Sequence, residues 1–165
     1  MEDSLGRNIS IEPLNLDAFA PFGDVLEAEG DPDKLINQGF CGRYHDRAML
    51  DFGPRGRAGI SLFKAEPRQL PYMLEMVERH PDGSQAFIPM SQHDWLVIVA
   101  PDRDGIPGRP RAFRASPGQG VNFYRGTWHG VLTPLHAPGL FAVVDRIGTT
   151  TNLEEHWFDR PIQIG

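Results

Sequence analysis

A chain of 165 residues with 40% hydrophobic content has the usual size of one domain and enough apolar side chains for a single core. Its 22 acidic against 16 basic residues give a formal charge of −6, and no run of Lys or Arg supplies the stripe a phosphate backbone needs, so nucleic acid is not an expected partner. No stretch approaches the roughly 20 apolar residues of a membrane span. The opening MEDSLGRNIS lacks the basic patch and apolar run of a secretory signal, and the single cysteine, Cys41, cannot form an intrachain disulfide, so a soluble, cytoplasmic protein without membrane contact is expected.

In chain order, NLDAFAPFG (15–23) reads as a short helix with Asn15 as N-cap and Gly23 as stop. Beyond it, 18 glycines and 15 prolines are spread as punctuation between apolar runs rather than gathered in one block. The runs are GISLFKA (59–65), YMLEMVERH (72–80), QAFIPM (85–90), WLVIVA (95–100), RAFRA (111–115), GVNFY (120–124), TWHGVLTPL (127–135) and LFAVVDRI (140–147). Short strands at this spacing predict an all-β sandwich or barrel. TNLEEHWF (151–158) reads as one further helical turn. Without a linker or repeat, residues 1–165 are expected to form a single domain.

Side chains alternate between the faces of a strand, so parity sorts each run. In YMLEMVERH, Tyr72, Leu74, Met76, Glu78 and His80 share one face. This more apolar set ends in a carboxylate and an imidazole, which in a small barrel would lie toward the interior near one mouth. A solvated strand end accounts for the same pattern equally well. In TWHGVLTPL, which follows the Arg125-Gly126 turn, Thr127, His129 and Val131 share one face while Trp128, Gly130 and Leu132 share the other. A lone strand histidine is usually a hydrogen-bonded core or rim residue. Two of them, with Glu78 two positions before His80 and Gln85 five after it, can converge inside one barrel.

The strings ERHPDGSQAFIPM, VIVAPD, GQGVNFYRGTWH and VVDR, preceded by NLDAFAPFGDVLE and INQGFCGRYHD, together resemble the ureidoglycolate lyase family of the cupin superfamily. The string RHPxGSQAFIPM with a later GxWH is the specific part. The resemblance implies a cupin double-stranded β-helix barrel with one or two short helices, assembled as a homodimer, that cleaves ureidoglycolate to glyoxylate and urea in allantoin and purine catabolism. For the dimer, the apolar WLVIVA strand is the expected source of buried interface.

The general cupin pattern offers two histidines one residue apart, then a carboxylate, then a third histidine in a second motif, and these hold a divalent metal. Here Glu78 stands in place of the first histidine, His80 matches the second, Gln85 replaces the carboxylate and His129 matches the last. A metal such as nickel, manganese or zinc, if one binds, would be held by Glu78, His80, Gln85 and His129, less strongly than by three histidines and a carboxylate. Many family members carry a second histidine after the Trp-His pair, where this chain has Gly130.

Ureidoglycolate is a carbinolamide, with a hydroxyl and a ureido nitrogen on one carbon beside a carboxylate. Its cleavage needs a base for the hydroxyl proton and an acid for the departing urea nitrogen, and no nucleophile. Glu78, His80 and His129 are the candidate catalytic residues, as base, acid and polariser of the developing oxyanion. The substrate carboxylate calls for a forked cation, with Arg43, Arg125 and Arg146 as candidates. Through the resemblance His45 joins Arg43, and Gln85 joins the substrate-binding set. Asp145 shares parity with Phe141 and Val143 and is the inward candidate on its strand, so its neighbour Arg146 faces the other way. Tyr124 and Trp128 read as packing, His93 and His136 as surface. Two other readings stay open: a different metal-dependent cupin enzyme, and a non-catalytic binder of a small hydroxy acid.

Overall fold

The computed structural model describes residues 6–165; the opening MEDSL lies outside them. Among these residues the chain is almost entirely β. An eight-stranded sheet, nearly closed into a barrel, contains β1 (Asn8–Ile9), β2 (Ile11–Pro13), β7 (Tyr72–Arg79), β9 (Trp95–Ala100), β12 (Arg111–Ala115), β14 (Trp128–His129), β15 (Thr133–Pro134) and β17 (Glu154–Ile164). A five-stranded sheet is built from β3 (Gly23–Leu26), β6 (Arg57–Ala65), β8 (Gln85–Pro89), β13 (Gly120–Phe123) and β16 (Gly139–Ile147). Two ribbons complete the set: β4 (Lys34–Ile36) with β5 (Cys41–Arg43), and β10 (Asp102–Arg103) with β11 (Ile106–Pro107). The expected all-β, cupin-like barrel is thus observed, with one short α-helix and one 3₁₀ turn.

The helix, α1 (Leu16–Phe19), is capped as expected, with the Asn15 side chain accepting from the Ala18 N–H at 2.9 Å. It stops after four residues because Pro21, directly after the C-cap Ala20, has no N–H to donate to the next helical bond. Gly23 does not end the helix; it opens β3. Phe19 is fully buried against Phe113, Phe22 and Phe123.

Two core clusters lie on opposite faces of β9. Trp95, Val97 and Val99 pack with Phe87, Val121, Phe123, Phe141 and Val143 between the two sheets. Leu96, Ile98 and Ala100 pack with Leu74, Val77, Trp128, Ile162 and Ile164 on the other side. All six residues of WLVIVA are therefore buried within one chain. That is why the run does not alternate in polarity, and it leaves β9 nothing to offer a dimer interface.

The structure corrects two further readings. TNLEEHWF forms no helix, because from Glu154 on it is part of the 11-residue β17, paired antiparallel with β7 from Glu154↔Arg79 to Ile164↔Tyr72. Tertiary pairing overrides the local signal. The unbroken alternation expected along 72–80 also fails. Leu74 and Val77, three apart, share one core cluster, and the β17 pairing slips between Trp157 and Ile162 alongside them. This irregularity resets which face Glu78 occupies.

Candidate active site

Glu78 is the penultimate residue of β7, and the two-residue β14 pairs directly beside it. His129 is opposite Glu78 on one side and opposite Val99 of the first core cluster on the other. Directly opposed residues share a sheet face, so the Glu78 carboxylate and the His129 imidazole point together into the space between the sheets. His80, just past β7, brings its ring to 5.2 Å from that of His129. One ligand atom from each of Glu78, His80 and His129 lies within 4.8 Å of the others. The turn that delivers His129 has the expected glycine, Gly126, at φ 80°.

The facing sheet supplies the opposite wall. Phe123 lies flat against the His129 ring, with centroids 4.4 Å apart and planes 2° from parallel. Gln85 opens β8 between Phe123 and Asp145, and its amide nitrogen donates to the Asp145 carboxylate at 3.1 Å. Asp145 is thus the inward residue of its pair, as parity predicted.

Both imidazoles are held in one tautomer. His129 Nδ1 lies 2.9 Å from the Gly130 carbonyl and His80 Nδ1 lies 2.9 Å from the Asn152 carbonyl. A carbonyl only accepts, so each Nδ1 carries a proton, and each ring in its neutral form presents its lone pair at Nε2. Both Nε2 atoms and Gln85 Oε1 are buried with no hydrogen-bond partner among the described residues. Native proteins rarely leave buried acceptors unmatched, and three of them facing one space mark a place for a ligand.

Burial dominates the electrostatics. It pushes the Glu78 carboxyl upward, opposed by His80 and reinforced by the Glu155 carboxylate. It pushes His129 down to about 3, with the charge of His80 in the same direction and the Gly130 carbonyl opposing. His129 is therefore a neutral lone-pair donor at physiological pH.

On the opposite face of the same strands lies a saturated network. Arg79 donates to Glu154 at 2.7 Å and to Asp102 at 3.0 Å, and its guanidinium sits 4.4 Å over Trp128, whose indole N–H also donates to Asp102 at 2.9 Å. Trp128 packs away from the site, as its parity predicted. A Cβ at Gly130 would lie 3.3 Å from Ile98 and 3.4 Å from Leu74. Position 130 thus faces the second core cluster, and a histidine there would not project beside His129.

The remaining sequence candidates scatter. Arg125 stays close, donating to the Pro81 carbonyl at 2.6 Å beside His80. Arg146 lies on the face opposite Asp145, donates to the Phe52 carbonyl and packs against Gly53, Gly56, Gly83 and Gly148. Arg43 and His45 lie on and just beyond the exposed β4–β5 ribbon, with Arg43 opposite Lys34 and the His45 N–H bonded to Asp33. Sequence reasoning missed Phe123, Asn152, Arg79 and Glu155. Parity along GVNFY points to Phe123, whereas nothing local marks Asn152, which meets His80 from 72 positions away.

Comparison with known proteins decides the family. A family profile described as ureidoglycolate lyase matches residues 6–165. The chain belongs to the ureidoglycolate lyase family. It is 58% identical over 158 residues to the ureidoglycolate lyase of Rhodobacter capsulatus, covering 96% of this chain and 98% of that one. It is 52% identical to ureidoglycolate lyase 2 of Rhizobium meliloti, covering 94% and 96% of the two chains, and 52% identical to that of Chelativorans sp., covering 96% of each. The ureidoglycolate lyase resemblance read from RHPxGSQAFIPM and GxWH therefore extends over nearly the whole chain. Among the described residues no helix is long and apolar enough to cross a membrane.

Proposed function

We propose that this chain cleaves ureidoglycolate to glyoxylate and urea, with Glu78, His80 and His129 as the reacting side chains. The convergence of these three groups, with both Nε2 lone pairs buried and unmatched, carries the reading. In the reaction the hydroxyl proton leaves, the C–O bond becomes C=O, the C–N bond breaks with its electron pair going to nitrogen, and that nitrogen takes a proton. An imidazole that already donates through Nδ1 can only accept at Nε2, so a histidine is the base. His80 takes that part, because placing a charge on His129 runs against its complete burial. His129 accepts a hydrogen bond that orients the substrate. Glu78, whose burial favours the protonated form, supplies the proton to the urea nitrogen, and transfer back from His80 resets the pair. Gln85 Oε1, its amide fixed by Asp145, matches the N–H groups of the ureido moiety. Arg125, which donates to the Pro81 carbonyl next to His80, takes the substrate carboxylate.

The donor set also fits a divalent ion. Two imidazole nitrogens, the Glu78 carboxylate and Gln85 Oε1 suit a borderline metal such as nickel, manganese or zinc, and the unmatched buried donors agree with that use. When bound, such an ion supplies Lewis-acid polarisation of the substrate oxygens.

Within this reading residues 1–165 form a single domain, supported by the two core clusters sharing β9. The chain acts as a cytoplasmic homodimer in allantoin and purine breakdown. Support for the dimer comes from the outer face of the five-stranded sheet, where Ile60, Leu62 and Ile88 are 76%, 65% and 44% exposed and adjoin through Val144 and Ala142. The deciding experiment incubates purified protein with racemic ureidoglycolate and measures glyoxylate and urea, as isolated, after chelation, and with nickel, manganese or zinc added back. Equal release of both products is expected. No release under any of these conditions overturns the reading and leaves a binder of small hydroxy acids.

A further inference from the structure

We propose that a cleft on the Trp128 side of the 124–128 turn binds a planar organic anion, a ring that carries a carboxylate or a phosphate. The cleft measures about 660 Å³ and is formed by Tyr124–Trp128, Ala100–Arg103, Arg109–Arg111 and the Pro21-Phe22 corner. Of the residues given a part in the lyase reaction only Arg125, on the turn between the two sites, lines it; Glu78, His80, Gln85 and His129 do not. Its volume is within the range of small-molecule sites and is far more than a three-carbon ureido acid fills.

Charge selects the ligand. In a chain of formal charge −6, Arg103, Arg109, Arg111 and Arg125 line this one cleft, against a single carboxylate, Asp102. Asp102 is already occupied by Arg79, the Trp128 indole and the Gly105 N–H. Arg111 is held by both oxygens of Glu12, at 2.8 and 3.0 Å. Arg109 reaches only the carbonyl oxygens of Gly6 and Asn8, and Arg103 has no hydrogen-bond or ion-pair partner among the described residues. Among the described residues no carboxylate forms an ion pair with these last two guanidinium groups.

Gly108 gives Arg103 its path into the cleft. A Cβ there would lie 3.1 Å from Arg103 Cγ and 3.4 Å from its Nε, so the missing side chain lets Arg103 run across the backbone one residue before Arg109. Two guanidinium forks lining one cleft suit the planar oxygens of a carboxylate or phosphate. Phe22, Trp128, Pro101 and Pro110 provide the apolar walls that accept the body of a ring.

The test is calorimetric titration of the full chain with orotate, a heterocyclic carboxylate, and with adenosine monophosphate, a heterocyclic phosphate. Binding of at least one, with Kd of about 100 μM or tighter, is expected; which of the two binds identifies the anionic group. Arg103→Ala with Arg109→Ala should weaken it at least about tenfold, while His129→Ala should leave it intact. Because Arg109 also holds the N-terminal segment, the single Arg103→Ala variant, with its unchanged thermal midpoint, keeps the test valid if the double variant fails to fold. Absence of binding by both compounds at millimolar concentration overturns the proposal. So does binding that survives loss of Arg103, or binding lost in His129→Ala. The outcome does not depend on turnover of ureidoglycolate.

Discussion

His129 and Trp128 are neighbours on one two-residue strand, yet their surroundings are opposite in kind. The groups in direct contact with Trp128 are matched: the indole N–H and two guanidinium donors of Arg79 are all taken up by Asp102 and Glu154. Around His129, three buried acceptors have no partner among the described residues. Matched groups stabilise the fold, whereas unmatched ones cost it roughly 1–3 kcal/mol each and are retained where a ligand supplies the missing partner. The saturated side thus holds the open side in place, with Arg79 beside Glu78 and Trp128 beside His129.

The largest expected effect comes from breaking the saturated side. Trp128→Ala should lower stability by about 3–5 kcal/mol, read as a fall in the urea midpoint, while the folded fraction keeps most of its turnover. An unchanged midpoint would remove the structural role given to that face. On the open side, His129→Ala or Glu78→Ala should lower turnover by roughly 10²-fold or more with a much smaller change in thermal midpoint. Wild-type turnover in either variant would make the cluster a packing element.

Arg79→Met sharpens the contrast, since it keeps the hydrophobic stem over Trp128 but removes both ion pairs. A loss of about 1 kcal/mol or less is expected, with an indirect fall in kcat as the strand end that carries Glu78 loosens. Restoration of kcat by Arg79→Lys would support positioning through charge.

The smallest effect at neutral pH, and a distinctive one in acid, concerns protonation. His129 refuses a proton down to about 3 in the folded state, while the unfolded chain accepts one below about 6.5. Its contribution is fully present above the unfolded value and is lost as pH falls from there toward 3. Glu78 works in the opposite sense: its raised folded value means that stability from this group declines as pH rises through and above the ordinary carboxylate range. His129→Gln should therefore flatten the acid loss of stability, and Glu78→Gln should steepen it. Urea midpoints measured between about pH 4 and pH 7 read both slopes, and parallel curves for all three proteins would contradict the burial that produces them.

Local signals carried a large part of this protein. Apolar runs punctuated by Gly and Pro located β6 to β9, β12, β13 and β16, Asn15 capped its helix, and parity separated His129 from Trp128 and Asp145 from Arg146. Each of these depends on interactions within a few residues, which the order of side chains specifies directly. The family was legible too, because ERHPDGSQAFIPM and GTWH hold the residues that meet in the site.

What tertiary structure alone decided depends on partners far away in the chain. TNLEEHWF becomes strand because β7 is there to pair with it, and the slip opposite Met76 and Leu74 turns Glu78 toward His129 where simple alternation kept it with Leu74. Arg146, beside Asp145 in sequence, is taken up by the 52–56 loop, and Asn152 reaches His80 to set its tautomer. Pairing register and the filling of hydrogen-bond valences are decided by which distant groups compete for each position, and composition and spacing record no such competition.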